Sequence, residues 1–195
     1  MAIIELNLPI LPDSIKTKVR LMSNKFAHDN NCRLWLNEFH NNQVNSVNHD
    51  YVLSPELDDE VRKVYGKYFN EPFVTMIGVQ RNVTDQLACT PVHCDRGRCT
   101  AINFFIESGG DNVKTSVYDH IRDDNDDLNE ALNLQYDSVT KLNSYHLKNN
   151  TWYAFSVQQG HSVENIETLR IFLGIVLKSN PKFEQFLKEH DRILT

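Results

Sequence analysis

The second half of the chain contains short hydrophobic runs rich in β-branched and aromatic residues, which is a pattern typical of β-strands. Turn-forming residues separate these runs, and such a series of short strands is typical of a β-sandwich or barrel. The sequence therefore predicts a mainly β protein. The predicted strands are residues 73–80, 100–107, 115–121, 141–147, 151–157 and 170–178.

The residues before this region predict one strand and two helices that support the sheet. Residues 3–9 alternate as a strand, and Asp13 or Ser14 is a candidate N-cap for a first helix. Ser54 and Pro55 predict the start of a second helix, with a capping hydroxyl and a proline in the first turn. The apolar positions at helical spacing are Ile15, Val19, Met22 and Phe26, then Leu57, Val61, Val64 and Tyr68.

Two further segments complete the predicted organisation. The Asn-rich stretch 41–50 has no periodicity and is predicted to be a loop, whereas residues 181–190 predict a short terminal helix. We expect a single domain, mainly β with flanking helices. Its predicted parts are an N-terminal strand with supporting helices (1–72), a β core (73–178) and a C-terminal helix (179–195).

Composition and charge narrow the classes of function. The 195 residues, 41% hydrophobic and 24% charged, are ordinary for a globular domain. The formal charge of −6 offers no electrostatic footprint for a phosphate backbone, which disfavours nucleic-acid binding. No run approaches the roughly 18 apolar residues that a membrane helix needs. The N-terminus lacks the early basic residues of a secretion signal, so we expect a cytoplasmic protein.

A group of cysteines and an acidic stretch could each suggest a metal site, but neither has the spacing that such a site needs. Cys89, Cys94 and Cys99 lack the short Cys-x-x-Cys spacing of structural zinc sites, so we expect free thiols. The acidic stretch 123–127 is followed by leucine at the two positions where an EF-hand calcium loop needs glycine and glutamate. A solvated loop, or a mobile lid over a pocket, is predicted there.

The strongest chemical signal is His93-Cys94-Asp95, followed by His161. Two imidazoles and one carboxylate are the ligand set that holds non-haem Fe(II) on one face and leaves the other coordination positions open. Taken alone, His93 and Asp95 could be a hydrogen-bonded pair on a surface loop. Both histidines, however, lie shortly before a predicted strand, and on a barrel their two loops would open at the same end. The arrangement therefore favours a metal site.

Arg170 begins an apolar strand nine positions after His161. A buried guanidinium without a partner is very costly. Either an internal acid such as Glu107 forms an ion pair with Arg170, or a ligand carboxylate binds to it in bidentate geometry. The spacing from His161 favours the ligand.

These residues together resemble the iron(II)- and 2-oxoglutarate-dependent dioxygenase superfamily, in particular its compact prolyl-hydroxylase-like members. The matching segments are TPVHCDRGRCTAINFFIE (90–107) and TWYAFSVQQGHSVENIETLRIFLGIVL (151–177). The resemblance covers roughly residues 73–178, about half of the chain. It implies a double-stranded β-helix core of the jelly-roll or cupin-like kind.

The resemblance also implies roles for individual residues. His93, Asp95 and His161 would be the iron ligands, and Arg170 would pair with the remote carboxylate of 2-oxoglutarate. We expect Asn165 or Gln158 to orient the ring of His161.

One position departs from the family pattern. Many members place Ser or Thr two residues after the arginine as a second contact to the carboxylate, whereas this chain has Phe172. Asn103 and Tyr153 are the contacts we expect in its place. Arg96 and Arg98, which flank the metal loop, are candidate contacts to an acidic substrate.

The activity that the resemblance implies is hydroxylation, with O2 and 2-oxoglutarate as co-substrates and with release of succinate and CO2. Halogenating relatives lack the carboxylate ligand, so Asp95 favours hydroxylation. The substrate is unidentified, and a peptide or protein side chain and a small metabolite are the candidates. Two alternatives stay open: a non-catalytic metal- or ligand-binding β-helix domain, and a cupin-type metalloenzyme that does not use 2-oxoglutarate.

Overall fold

The computed structural model describes residues 2–28, 33–40, 43–82, 87–123 and 132–194. For residues 25–28, 33–40 and 43–52 it describes the backbone alone. The side chain of Phe26 and all of the acidic stretch except Asp123 lie outside the described residues.

Within these ranges the chain forms three α-helices and twelve β-strands. The helices are α1 (Asp13–His28), α2 (Pro55–Tyr65) and α3 (Phe183–Glu189). The strands are β1 (Ile3–Leu6), β2 (Arg33–His40), β3 (Gln43–Leu53), β4 (Phe73–Asn82), β5 (Val92–Cys94), β6 (Thr100–Ser108), β7 (Lys114–Ile121), β8 (Leu132–Leu134), β9 (Lys141–Tyr145), β10 (Thr151–Ser156), β11 (Gln159–Glu164) and β12 (Arg170–Leu177). No helix in the described part of the chain is long and apolar enough to cross a membrane.

The strands form two antiparallel sheets. The larger sheet has the order β1-β10-β6-β12-β4-β3-β2, and the smaller sheet has the order β8-β5-β11-β7-β9. From β4 onward the chain passes back and forth between them, because β4, β6, β10 and β12 lie in the larger sheet while β5, β7, β9 and β11 lie in the smaller one. This order makes a double-stranded β-helix, a jelly-roll-like fold. The predicted fold class is confirmed.

Successive residues on the larger sheet face two different cores, because side chains alternate along a strand. On β10, Trp152 packs in an outer core with the helices, whereas Tyr153 and Phe155 face an interior core between the two sheets. The buried aromatic members of the interior core are Phe105, Tyr153, Phe155 and Phe172. The helices therefore cover one face of the sheet and leave the other to line the inside of the β-helix.

Polar contacts fasten α2 to the first residues of β4. Asp58 Oδ1 accepts hydrogen bonds from the backbone N–H and the hydroxyl of Thr75, both at 2.7 Å. Arg62 donates to the backbone carbonyl of Phe73 at 2.8 Å. Ser54 precedes the helix as predicted, but its hydroxyl does not make the predicted capping bond. Its backbone carbonyl instead accepts a hydrogen bond from the Thr75 hydroxyl at 2.9 Å, so contacts with β4 hold the start of this helix.

Three strands lie where the sequence predicted loops. The loop predicted at 41–50 is wrong over residues 43–50, which belong to β3, while residues 41–42 lie outside the described ranges. Pairing with β2 and β4 on its two edges satisfies the backbone of β3 without an apolar side-chain pattern. The loops expected at the two histidines are the strands β5 and β11, which are too short or too polar to show a period of two. β1, β2 and β3 extend the larger sheet beyond the predicted 73–178 core.

Gly78 and Phe172 provide a test of the packing inside the β-helix. They face each other on β4 and β12, and a Cβ on Gly78 would stand 2.0 Å from the Phe172 ring. Gly78→Ala should therefore lower the free energy of unfolding by about 1–3 kcal/mol, the usual cost of overpacking. Chemical denaturation measures this difference.

Gly66→Ala is the matched control. A Cβ on Gly66 meets nothing within 4 Å, and the φ of −55° suits alanine. We expect no loss of stability from this change. Equal stability of Gly78→Ala and the wild type would contradict the close approach of the Phe172 ring.

Candidate metal centre

His93 and His161 lie on neighbouring strands and face each other directly. The pairing of β5 with β11 places His161 opposite His93, and the centroids of the two rings are 4.3 Å apart. Paired residues of antiparallel strands point to the same face of a sheet. Val117, the partner of His161 on β7, belongs to the interior core. Both imidazoles are therefore on the interior face of the smaller sheet.

Asp95 follows β5 in a turn and completes the cluster. Its Oδ1 lies 3.4 Å from Nε2 of His93 and 3.5 Å from Nε2 of His161. Three donors held about 2.1 Å from one ion, at right angles to one another, are roughly 3 Å apart. The three side chains thus need only small adjustments to hold a common ion.

One ligand atom from each of His93, Asp95 and His161 lies within 4.8 Å of the other two. Among the described residues, this is the group of His, Cys, Asp and Glu side chains that could hold a metal ion. None of the three described cysteines, Cys89, Cys94 and Cys99, forms a disulfide bond.

Backbone carbonyls set the tautomer of both rings. Nδ1 of His93 lies 2.9 Å from the carbonyl oxygen of Pro91, and Nδ1 of His161 lies 2.9 Å from that of Gln159. A carbonyl oxygen only accepts, so in the neutral ring Nδ1 carries the hydrogen and Nε2 keeps its lone pair. That is the tautomer that metal binding through Nε2 requires.

The charge states also suit a metal. Burial lowers the pKa of His93, and the nearby His161 lowers it further, so the site favours the neutral form of the His93 ring. Burial alone would raise the pKa of the Asp95 carboxyl, but the Arg98 guanidinium and the two histidines hold it well below its usual range. Neutral imidazoles and an ionised carboxylate are the protonation states that ligands must have.

Side chains from three parts of the chain hold Asp95 in place. Its Oδ2 accepts hydrogen bonds from Nε of Arg98 at 3.0 Å and from Nη2 of Arg98 at 2.8 Å. Its backbone carbonyl accepts from Nη1 of Arg122 at 2.9 Å and from Nε2 of Gln158 at 3.1 Å. The carboxylate and the backbone of this residue are therefore both fixed.

Several residues make other contacts than those predicted. Gln158 donates to the backbone carbonyl of Asp95, and Asn165 donates to the backbone carbonyl of Asn112 at 3.2 Å. The ring of His161 instead contacts the carbonyl of Gln159 in its own strand. Arg98 forms an ion pair with Asp95, and Arg96 is exposed in the same turn. A substrate contact stays a prediction for both arginines.

Arg170 lies in the interior of the β-helix and is 4% exposed. It donates from Nη1 to Gln80 Oε1 at 3.0 Å and from Nη2 to Thr115 Oγ1 at 3.2 Å. Its guanidinium carbon lies 4.6 Å from the centroid of the Phe105 ring, a stacked contact that suits a planar cation. The guanidinium is thus oriented by neutral oxygen atoms and an aromatic face.

The buried guanidinium and the metal ligands share one interior. Thr115, which contacts Arg170, is two residues from Val117 on β7, and Val117 is opposite His161. Two residues along a strand span about 7 Å. Glu107, the internal acid considered as a partner, pairs with an arginine of α1 at 2.9 Å.

The two predicted supplementary contacts differ in their placement. Asn103 lies on β6 and is 6% exposed, and its Oδ1 has no hydrogen-bond partner in the described part of the chain. A Cβ on Gly174, which is opposite Asn103 on β12, would stand 3.1 Å from this oxygen. The hydroxyl of Tyr153 instead accepts a hydrogen bond from the backbone N–H of Lys148 at 3.1 Å. Of the two residues, Asn103 therefore offers a buried amide oxygen that could accept a hydrogen bond inside the β-helix.

Thr115 and Gln80 are contacts of Arg170 that sequence reasoning missed. The Phe172 ring packs against Phe105 at 5.5 Å, so the position expected to hold a hydroxyl is aromatic. Thr115 brings a hydroxyl to the guanidinium from the opposite sheet. Its place in a predicted strand was visible in the sequence, but its contact across 55 residues of chain was not.

No protein-family model and no curated protein matches this chain. Several solved structures are similar in fold at low sequence identity. A Pseudomonas putida prolyl-4-hydroxylase is 11% identical over 88% of this chain and 90% of that chain, with a TM-score of 0.47. A Trichoplax adhaerens prolyl hydroxylase, in complex with a peptide fragment of hypoxia inducible factor, is 12% identical over 90% of this chain and 84% of that chain, with a TM-score of 0.48. AviO1 from Streptomyces viridochromogenes is 11% identical over 92% of this chain and 91% of that chain, with a TM-score of 0.49.

Because these identities and scores are low, the functional class rests on the side chains of this chain. Its strand order and its interior cluster define a double-stranded β-helix protein with a candidate metal centre.

Removal of any one ligand tests the centre directly. His93→Ala, Asp95→Ala and His161→Ala should each weaken binding of Mn(II) or Fe(II) by more than the roughly 10–100-fold that loss of a supporting contact costs. Anaerobic titration, followed by calorimetry or by the electron paramagnetic resonance of free Mn(II), measures the affinity.

His146→Ala is the matched control, because His146 is exposed and outside the cluster. Its metal affinity should equal that of the wild type. Unchanged affinity in all three ligand variants would refute the metal centre.

Proposed function

We propose that the protein is an Fe(II)- and 2-oxoglutarate-dependent dioxygenase that hydroxylates an organic substrate and releases succinate and CO2. The observation that supports this most strongly is the presence, inside one β-helix, of a His-Asp-His cluster and a buried arginine. A metal site alone fits many enzymes. A metal site beside a buried guanidinium fits an organic acid that chelates the metal at one end and presents a carboxylate at the other.

The donor set fits Fe(II). Two neutral imidazole nitrogens and one carboxylate oxygen on a single face are the ligands of non-haem Fe(II) oxygenases, and they leave three positions open. Nε2 of His93, Nε2 of His161 and Oδ1 of Asp95 are the atoms that would bind the ion. Two open positions suit a chelating keto acid, and the third suits O2.

The interior around Arg170 fits the remote carboxylate of 2-oxoglutarate. The guanidinium is buried, so a carboxylate would pair with it in surroundings of low dielectric constant. Thr115 brings a hydroxyl to the same guanidinium and would supply the second contact that Phe172 cannot make. Asn103, with its buried amide oxygen, would lie along the same interior face.

When bound, the iron and 2-oxoglutarate supply the oxidising chemistry, in which O2 is consumed, 2-oxoglutarate becomes succinate and CO2, and one oxygen atom enters the substrate. The residues of this chain bind and orient. Arg170 and Thr115 would fix the far end of the co-substrate, and the aromatic interior core would exclude water from it.

The substrate stays a prediction, with a peptide or protein side chain and a small metabolite as candidates. Arg96, which is exposed in the turn that carries Asp95, is the residue that would contact an acidic group of the substrate. The formal charge of −6 disfavours a nucleic acid.

Anaerobic binding of Fe(II) and 2-oxoglutarate tests the proposal. Chelation of Fe(II) by the keto acid gives a visible charge-transfer band, which we expect only when both are added to the wild type. Arg170→Ala should raise the half-saturating concentration of 2-oxoglutarate by more than about tenfold, because a charge-assisted contact is lost. Arg20→Ala removes a partly exposed arginine of α1 and should leave that concentration unchanged.

Each other outcome points to a different class. A band without succinate formation in air would favour the non-catalytic binding domain. Bound metal without a band would favour a cupin-type metalloenzyme that does not use 2-oxoglutarate. No metal binding at all would refute the proposal.

Thr115→Val tests the second carboxylate contact by removing one hydroxyl at nearly constant volume. We expect about tenfold weaker binding of 2-oxoglutarate, because a hydrogen bond to a charged group contributes about 1.5–3 kcal/mol. Thr140→Val, at an exposed threonine, is the matched control. Identical affinity of Thr115→Val and the wild type, measured on the same charge-transfer band, would assign the second contact elsewhere.

A further inference from the structure

Arg98 binds the Asp95 carboxylate in an asymmetric way. Its Nε and its Nη2 both donate to Oδ2, at 3.0 and 2.8 Å, and the other carboxylate oxygen is left to the two histidines. Both side chains are 12% exposed. Oδ2 of Asp95 therefore binds Arg98, while Oδ1 faces the two histidines.

Other contacts hold Arg98 and Asp95 in a fixed relation. Gln158 Nε2 donates to the backbone carbonyls of both residues, and the backbone N–H of Asp95 donates to the carbonyl of Val157 at 2.9 Å. Arg98 also donates from Nη1 to Sδ of Met76 at 3.2 Å, which fixes the plane of the guanidinium. These contacts restrict the backbone of the turn and the Arg98 guanidinium, so rotation of the Asp95 carboxylate would break its hydrogen bonds to Arg98.

We propose that Arg98 is a positioning residue that restricts Asp95 to a single ligand oxygen. The inference rests on the proposed metal centre. A carboxylate can bind a metal through one oxygen or through both. Binding through both would require Oδ2 to leave two charge-assisted hydrogen bonds, so Arg98 favours the one-oxygen mode.

The consequence concerns the number of open positions on the metal. With one oxygen from Asp95 and two imidazoles, three positions are left. With a chelating Asp95, two are left, which is enough for a keto acid or for O2 and water but not for a chelating keto acid together with O2. Arg98 would thus preserve the third position without touching the metal.

The count of metal-bound water molecules tests this role without turnover or 2-oxoglutarate. Mn(II) bound to the wild type should carry three exchangeable waters, measured as the relaxation rate of water protons per bound Mn(II). In Arg98→Met, which keeps an unbranched side chain beside Met76 but removes the donors, that rate should fall by about one third as Asp95 takes a second position. Arg98→Leu, which also removes the donors, should behave in the same way and provides a second chance of a folded variant.

Two controls separate positioning from a general effect of charge or folding. Arg98→Lys keeps a cationic donor and should regain at least part of the lost relaxation rate. Arg20→Ala removes an equal charge at an exposed site on α1, and its relaxation rate should match that of the wild type. Circular dichroism confirms that each variant is folded.

The outcomes separate the proposed role of Arg98 from the proposed metal centre on which it rests. A merely structural role for Arg98 would weaken Mn(II) affinity and leave the water count of the bound ion at three, and that result overturns the inference while the metal centre stands. Failure of the wild type to bind Mn(II) or Fe(II) overturns both. A lower water count in both neutral variants, with recovery in Arg98→Lys, supports the inference.

Discussion

The candidate site depends on the register in which β5 pairs with β11. That register puts His93 opposite His161, and a slip of one residue would turn one imidazole to the other face of the sheet. β5 has only three residues, so β8 and β11 on its two edges, rather than its own sequence, hold it in place. On its far edge, β11 pairs with β7, whose Val117 anchors the arrangement in the interior core.

A second constraint is that the two faces of β12 pack in different surroundings. Ile171, Leu173 and Ile175 are buried in the outer core with the helices, so this strand is held firmly from one side. Its other face carries the buried guanidinium of Arg170, and hydrogen bonds to Gln80 and Thr115 offset part of the cost of burying that charge. The same alternation on β6 leaves Asn103 on the interior face between apolar neighbours.

Local charge in the interior runs against the charge of the whole chain. The chain has a formal charge of −6, yet Arg98 pairs with the carboxylate of Asp95 and Arg122 donates to its backbone carbonyl. A third guanidinium, that of Arg170, is buried in the same interior. A metal ion would add further positive charge. Burial strengthens these interactions, because water that would screen them is excluded. This local positive charge supports the proposed binding of an anionic chelating ligand.

The sequence by itself determined the mainly β fold class, six of the core strands (β4, β6, β7, β9, β10 and β12) and the order of the candidate ligands. These features could be predicted because the strands are short runs rich in β-branched and aromatic residues, and because His-x-Asp, His and Arg lie beside them in a recognisable order. The opposite faces of Trp152 and Tyr153 followed from the alternation of side chains along a strand.

Only the tertiary structure decided the rest. β3, β5 and β11 are strands because their neighbours pair with them, and their own residues are too polar or too few to indicate it. The partnership of Arg170 with Thr115, and of Asp95 with Arg122 and Gln158, joins segments far apart in the chain. Such contacts depend on how two sheets close around an interior, and no local pattern of residues records that closure.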